Sequence, residues 1–265
     1  MRDVALFQRP RPDSLLKMRS VPAIVFSARR GWLVRLVGVV GWGLAATLHA
    51  QPAAPYLTAP ASADGIGKLY HGREIAQMMG FDGAAWLERT ERQQEERADL
   101  LMAELALRPG MDVADVGAGT GYYARRMAQQ VGPKGKVYAV EVQPQMLRVL
   151  QATAKRPGYG NIVPTLGADD DVKLPEASID LAIMVDVYHE LAFPREVLAS
   201  IVRALRPGGR VVFVEYRGES LGVPIKPLHK MTEQQVRLEA ADQPLVWERT
   251  ARTLPWQHVV VFKRP

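Results

Sequence analysis

The segment from Asp115 to Glu141 opens with DVGAGTGYY and closes with VYAVE. Glycine at 117, 119 and 121 lets a chain turn sharply from a strand into a helix and lets a ligand lie against bare backbone, while the helix start offers unpaired N–H groups. Glu141 follows the last glycine by about twenty residues, where a carboxylate can accept both hydroxyls of a ribose. In the dinucleotide-binding fingerprint the third glycine comes three residues after the second, and that position is Tyr122. The spacing is G-x-G-x-G, a departure from that fingerprint.

A second group lies in MVDVYHEL, Met184 to Leu191. In open α/β sheets ligands sit outside the carboxyl ends of the strands, so Asp186, Tyr188, His189 and Glu190 would crowd a reaction site if the preceding run is a strand. His189, with an ordinary pKa of about 6.5, is the candidate base for a proton that must leave; Asp186 is the second catalytic candidate, or simply a ligand for an amine. A bland reading, in which His189 and Glu190 cap the next turn, has equal claim. Lys226, His229 and Lys230 lie on the long connection Tyr216 to Thr232, either a lid facing an acidic acceptor or a solvated loop.

The elements that would position these residues follow from hydrophobic periodicity. From Met111 onward strand-like runs alternate with helical ones, the pattern of βαβ units and a parallel sheet. Strands are expected at 113–116, 136–141, 162–166, 179–185 and 210–215, with helices at 122–130, 144–154, 194–205 and 232–241. Runs at 245–250 and 258–263 read as a closing hairpin that adds one antiparallel strand. Upstream, residues 51–70 read as a Pro/Ala/Gly-rich linker. REIAQMMG reads as a short helix, and Trp86 to Leu107 as a longer one whose charged first half is an exposed face. Residues 71–107 would then be a helical cap and residues 108–265 the main domain.

Eight of the 34 Lys/Arg and two of the 28 Asp/Glu fall in residues 1–50, which leaves twenty-six of each in the rest. With a neutral body the chain is not expected to bind nucleic acid, which needs its basic excess in the folded part. No cysteine is present, so disulfides and thiolate metal sites are excluded, and no metal site is expected. Residues 1–50 have the layout of a secretory signal: Arg29, Arg30 and Arg35 precede the apolar run Leu36–Leu48, too short for the roughly twenty residues of a membrane span. Ala28-Arg29-Arg30-Gly31-Trp32-Leu33 also resembles a twin-arginine signal. Export to the periplasm or medium is the expectation; an uncleaved membrane anchor, or a cytoplasmic protein starting further along, is the alternative.

VADVGAGTGYYARRMA followed by VYAVEVQPQML resembles the first two motifs of the class I S-adenosylmethionine-dependent methyltransferases, and LRPGGRVVFVEY resembles a later helix-to-strand turn of that family. The resemblance covers about residues 108–265. It implies a Rossmann-like α/β fold: a mostly parallel seven-stranded sheet with helices on both faces and a C-terminal antiparallel hairpin. S-adenosyl-L-methionine is the implied cofactor and a small molecule or protein side chain the implied acceptor. By position, Asp115 would lie near the methionine amine, Gly117, Gly119 and Gly121 would pass under the methionine and ribose, and Glu141 would hold the ribose hydroxyls. Asp169 or Asp170, in GADDD, would reach the adenine amine. HGREIA, WLER and KPLHKMT resemble stretches of bacterial methyltransferase-domain proteins whose substrate is unassigned. Two other readings stay open: a nicotinamide-dependent oxidoreductase, against which Tyr122 argues, and a non-catalytic ligand-binding module.

Overall fold

A computed structural model describes residues 55–265. The leader expected over residues 1–50 lies outside the described residues. No helix among the described residues is long and apolar enough to cross a membrane.

The chain begins with a small antiparallel sheet where a linker and a helix were expected. Strand β1 (Tyr56–Thr58) pairs with β2 (Gly65–Tyr70), and β2 pairs with β3 (Arg73–Ala76). His71 and Gly72, both at positive φ, make the two-residue turn between β2 and β3, which the helical reading of REIAQMMG overlooked. Ile75 and Ala76 are fully buried, so this strand is held by packing rather than by propensity. The expected helix over 86–107 is three short pieces: α1 (Ala84–Leu87), α2 (Arg92–Glu96) and α3 (Ala98–Leu105). Arg97, in the left-handed region at φ +51°, makes the break between α2 and α3.

The main sheet follows the sequence pattern closely. Its strands are β4 (Val113–Val116), β5 (Val137–Glu141), β6 (Ile162–Leu166), β7 (Ile179–Val185), β8 (Leu205–Tyr216), β9 (Val246–Ala251) and β10 (Gln257–Lys263). They lie in the order β6-β5-β4-β7-β8-β10-β9. All neighbours are parallel as far as β8; β10 runs antiparallel to both β8 and β9. Between the strands come α4 (Tyr122–Val131), α5 (Pro144–Ala154), α6 (Pro194–Ala204) and, before the hairpin, α7 (Glu233–Ala240). Strand β8 is longer than expected because Arg206-Pro207-Gly208-Gly209 continues it rather than preceding it.

Alternation along the strands builds two cores. Val113, Leu181, Ile183, Val212 and Val214 pack with α3 and α4, while Ala114, Ala182, Met184, Val211 and Phe213 pack with α6 and α7. The sheet is therefore covered on both faces, as a parallel sheet requires. The order reverses at β4, with β5 on one side and β7 on the other, and that switch point opens a crevice at the strands' carboxyl ends.

The small sheet is fastened to the main one by polar contacts. Arg73 on β3 forms a two-point bond to the buried Glu239 of α7 at 2.8 and 3.0 Å and donates at 3.0 Å to the carbonyl of His189. Tyr70 donates to Asp242 at 2.6 Å, and Nζ of Lys68 donates to the carbonyl of Ala192 at 2.6 Å. Removing one partner of a buried, hydrogen-bonded ion pair leaves the other charge uncompensated. Arg73→Ala is therefore expected to lower the unfolding free energy by about 3 kcal/mol, with Arg73→Ala/Glu239→Leu recovering part of that. Urea denaturation checks it; a loss no larger than that of an exposed substitution would contradict the fastening role.

Candidate active site

The loop between β4 and α4 answers why glycines are needed there. Gly117 lies at φ +72°, and a Cβ on it would stand 2.6 Å from both methyl carbons of Val187; Gly119 lies at φ +54°, and a Cβ on it would stand 2.7 Å from Leu87. A side chain at either position would be strained and would collide with the exit of β7 or with the N-terminal segment. The N–H groups of Gly117 and Ala118 donate to the carbonyl of Val140 at 2.9 and 3.0 Å, and that of Gly121 to Ala118 at 2.8 Å. The N–H of Gly119 donates to Glu141 at 2.9 Å. Unpaired amides were expected here; these four are instead spent inside the protein, because the loop folds back on β5. A pyrophosphate, which binds through such amides, would find them occupied.

The crevice is a cavity of about 310 Å³ at the carboxyl ends of β4, β5 and β7. Asp115, Gly117, Gly119, Glu141, Asp169, Asp186 and His189 all line it; Gly121 and Asp170 do not. Of the triple aspartate, Asp169 and Asp170 are both exposed but only Asp169 borders the cavity, and Asp171 binds Arg203 at 2.9 Å. Glu141 is held by three backbone N–H groups, from Gly119 at 2.9 Å and from Val142 and Gln143 at 2.8 Å. Burial raises its pKa although these bonds pull the other way. Of the roughly four acceptor positions on a carboxylate, about one remains for a ligand.

Two carboxylates in the cavity each have one oxygen without a partner. Asp115 is 3 % exposed and its Oδ2 accepts no hydrogen bond. Burial pushes its pKa up to about 7, relieved only partly by the N–H of Ala124 and the charge of Arg92. Asp186 follows β7 at φ +54°, accepts at 2.9 Å from Gln257, and has its Oδ1 unpartnered. Burial, with Glu96 and Glu215 nearby, holds its carboxyl well above the usual range. A left-handed aspartate at a strand end, with one buried oxygen bare, is a costly arrangement that marks the position as a candidate ligand contact.

His189 is not the free base the sequence suggested. It is 1 % exposed, its Nδ1 lies 2.6 Å from Glu215, and its Nε2 lies 3.1 Å from Nδ1 of His229. Burial opposes its charge, yet Glu215 and Glu190 outweigh that and lift its pKa to about 10. At neutral pH the ring is thus an imidazolium clamped between carboxylates, and Asp186 is tied to Gln257 rather than to it. His229, treated in the sequence as one of several loop residues, is 7 % exposed and borders the cavity, whereas Lys226 binds Asp64 at 2.7 Å.

The charged run of 88–97 holds two buried residues, one of them in the cavity wall. Arg92 and Glu96 are buried, not an exposed face, and Arg92 lines the cavity. Arg92 donates to Glu96 and to the carbonyl of Leu87, both at 2.8 Å, and stacks on the ring of Tyr122 at 4.1 Å. Glu96 also accepts from Tyr123 at 3.0 Å and from Arg89 at 2.8 Å. The i,i+4 pairing was visible in the sequence, but not that it faces inward. Met79, Trp86 and Leu87 from the N-terminal segment form an apolar wall of the same cavity.

Residues 114–213 match the family model described as "Methyltransferase domain". The ubiquinone/menaquinone biosynthesis C-methyltransferase UbiE of Ralstonia pickettii is 31 % identical over 116 residues, 43 % of this chain and 47 % of that protein. The protein of the same name from Bordetella parapertussis is 30 % identical over 125 residues, 47 % of each chain. The chain thus spans about half the length of these curated relatives. A solved SAM-dependent methyltransferase from Aquifex aeolicus superposes with a TM-score of 0.67 at 24 % identity, covering 71 % of this chain and all of the other.

A carboxylate raised from 3.8 to about 7 in the folded protein binds a proton more tightly there than in the unfolded chain. Its contribution is fully present below the ordinary carboxylate range and is lost as pH rises through about 7. The ligand-free protein should lose stability between about pH 4 and 7, and Asp115→Asn should lose distinctly less over that interval. Urea midpoints across the range check this; parallel curves for the two proteins would contradict it.

Proposed function

We propose that this chain, whose residues 114–213 form a methyltransferase domain of the class I, S-adenosylmethionine-dependent kind, transfers a methyl group to a small acceptor bound under its N-terminal segment. The observation that carries the reading is the pair of buried, unpartnered carboxylate oxygens, Asp115 Oδ2 and Asp186 Oδ1, beside a glycine loop whose amides are already engaged. Such a site fits a ligand with an ammonium and no phosphate. S-adenosylmethionine is such a ligand and supplies an electrophilic methyl carbon on a sulfonium sulfur.

In this reading Asp115 accepts from the ammonium, with Asp186 close by, and Glu141 accepts a sugar hydroxyl through its remaining lone pair. Asp169 stands at the edge of the cavity where the adenine amine would lie. Arg92 supplies the positive charge nearest the ligand's carboxylate. When bound, that ligand would supply a methyl carbon open to in-line attack by the acceptor's lone pair, with the carbon–sulfur electrons returning to sulfur; an acceptor that enters already ionised needs no base from the chain. The chain's contribution is alignment and exclusion of water by Met79, Trp86 and Leu87.

The acceptor wall is built from residues 66–92 and from His189, Glu190, Tyr216, Ile225 and His229. Much of it lies outside the matched stretch 114–213, so the acceptor named for the relatives is not carried over. Its apolar side and its polar corner at His189 favour an acceptor with a hydrophobic body and an oxygen-bearing head. Export directed by residues 1–50 belongs to the same proposal.

Calorimetry of the full chain with S-adenosylhomocysteine and, separately, NAD tests the reading. S-adenosylhomocysteine should bind and NAD should not. Glu141→Ala, which removes a sugar acceptor and frees three amides, should weaken binding at least several-fold. Comparable binding of NAD, or unchanged affinity in Glu141→Ala, would overturn the assignment.

A further inference from the structure

At the acceptor end of the cavity three side chains from two separate elements converge on one point. His189 and Glu190 lie in the 3₁₀ turn Tyr188–Glu190 after β7, and His229 ends the 3₁₀ turn Pro227–His229 in the long connection after β8. Nε2 of His189 and Nδ1 of His229 are 3.1 Å apart; Oε1 of Glu190 is 3.2 Å from the second and 3.6 Å from the first. A metal ion bound to nitrogen and oxygen at about 2.0 to 2.2 Å has neighbouring ligand atoms roughly 3 to 3.5 Å apart. The three atoms already stand at about that spacing, before any ion draws them together.

The outer sides of the ligands carry the supports a metal site uses. Nδ1 of His189 lies 2.6 Å from Oε2 of Glu215, whose other oxygen accepts from the N–H of Tyr188 at 3.0 Å. Nε2 of His229 lies 3.1 Å from Oδ2 of Asp64, although the two are not aligned as a hydrogen bond. Oε2 of Glu190 accepts from the N–H of Met79 at 3.1 Å. The bond to Glu215 fixes the tautomer of His189 that directs Nε2 inward, while Asp64 stands behind Nε2 of His229 as a nearby charge. Metal binding must displace the proton that the flanking carboxylates otherwise hold on His189; once it leaves, Nε2 of His189, Nδ1 of His229 and Oε1 of Glu190 turn three lone pairs toward one point, which a cation satisfies together.

We propose that His189, Glu190 and His229 bind a divalent first-row transition metal, zinc or one of similar preference, with its remaining coordination positions open to the cavity. Two imidazoles and one carboxylate suit such an ion rather than magnesium or calcium, and the chain has no cysteine to make a closed sulfur site. All three ligands border the cavity that holds Asp115 and Glu141. The open positions would take an oxygen donor of the acceptor, a phenol, enol or carboxylate. The metal site stands on its own geometry; only its use toward an acceptor rests on the methyl-transfer reading.

The test is titration of the full chain, stripped with a chelator, with zinc alone and with cobalt(II) followed by its visible absorption. One equivalent should bind, and His229→Ala and Glu190→Gln should each weaken zinc binding at least tenfold, while His71→Ala, on the far turn between β2 and β3, should change nothing. S-adenosylhomocysteine binding, measured alongside, should persist in His229→Ala and Glu190→Gln and so report that they fold. No zinc uptake by the parent chain, or wild-type zinc affinity in both ligand variants, overturns the proposal. Zinc binding without S-adenosylhomocysteine binding would leave the metal site standing and remove the methyl-transfer reading.

Discussion

Oδ2 of Asp115 and Oδ1 of Asp186 are buried at the ends of adjacent parallel strands with no donor to meet them. A buried carboxylate without partners is expensive, and the fold concentrates acidic groups there, because Glu141, Glu190 and Glu215 end or follow neighbouring strands. The positive charges within reach are few: Arg92, already committed to Glu96 and Leu87, and the imidazolium of His189. The crevice is therefore short of cations when it holds no ligand. Much of the rest follows from that shortage, including the raised pKa values of Asp115 and Asp186 and the fit to a ligand that carries its own positive charge.

The N-terminal segment roofs the crevice with Met79, Trp86 and Leu87. The small sheet of β1, β2 and β3 is tied to α7 through Arg73 and Tyr70, and the same Arg73 holds the carbonyl of His189. One guanidinium thus links the roof of the cavity, a helix on one face of the sheet and the turn bearing the histidine. Lys226 and Asp64 make a second tie between that segment and the connection that carries His229. The roof is thus joined to the turn bearing His189 and to the connection bearing His229 by polar links that do not run through the central sheet.

How much of this the sequence could reveal depended on which forces decide each part. The parallel strands are buried on both faces, so their apolar runs announced themselves, and 144–154, 162–166 and 179–185 begin and end where expected. The glycines and Glu141 were legible because few residues tolerate that geometry. The segment 55–107 was not, since short strands such as Arg73–Ala76 are fixed by their partners, and a two-residue turn at His71-Gly72 outweighs a helical pattern of eight residues. Arg92 and Glu96 read as a solvated face because an i,i+4 ion pair looks the same whether it faces water or a cavity. Most of all, His189 and His229 are forty positions apart, and only the path of the connection after β8 brings them into contact.

The proposed reading requires the ammonium of a phosphate-free ligand to meet the bare oxygen of Asp115. Proton exchange on binding tests it most directly, through calorimetry of S-adenosylhomocysteine near pH 7 in buffers of different ionisation enthalpy. Pairing Asp115 with the ligand's ammonium must lower its pKa from about 7, so the account predicts net proton release from the protein that shrinks in Asp115→Asn. Binding with no proton release, or release that the substitution leaves intact, would contradict it.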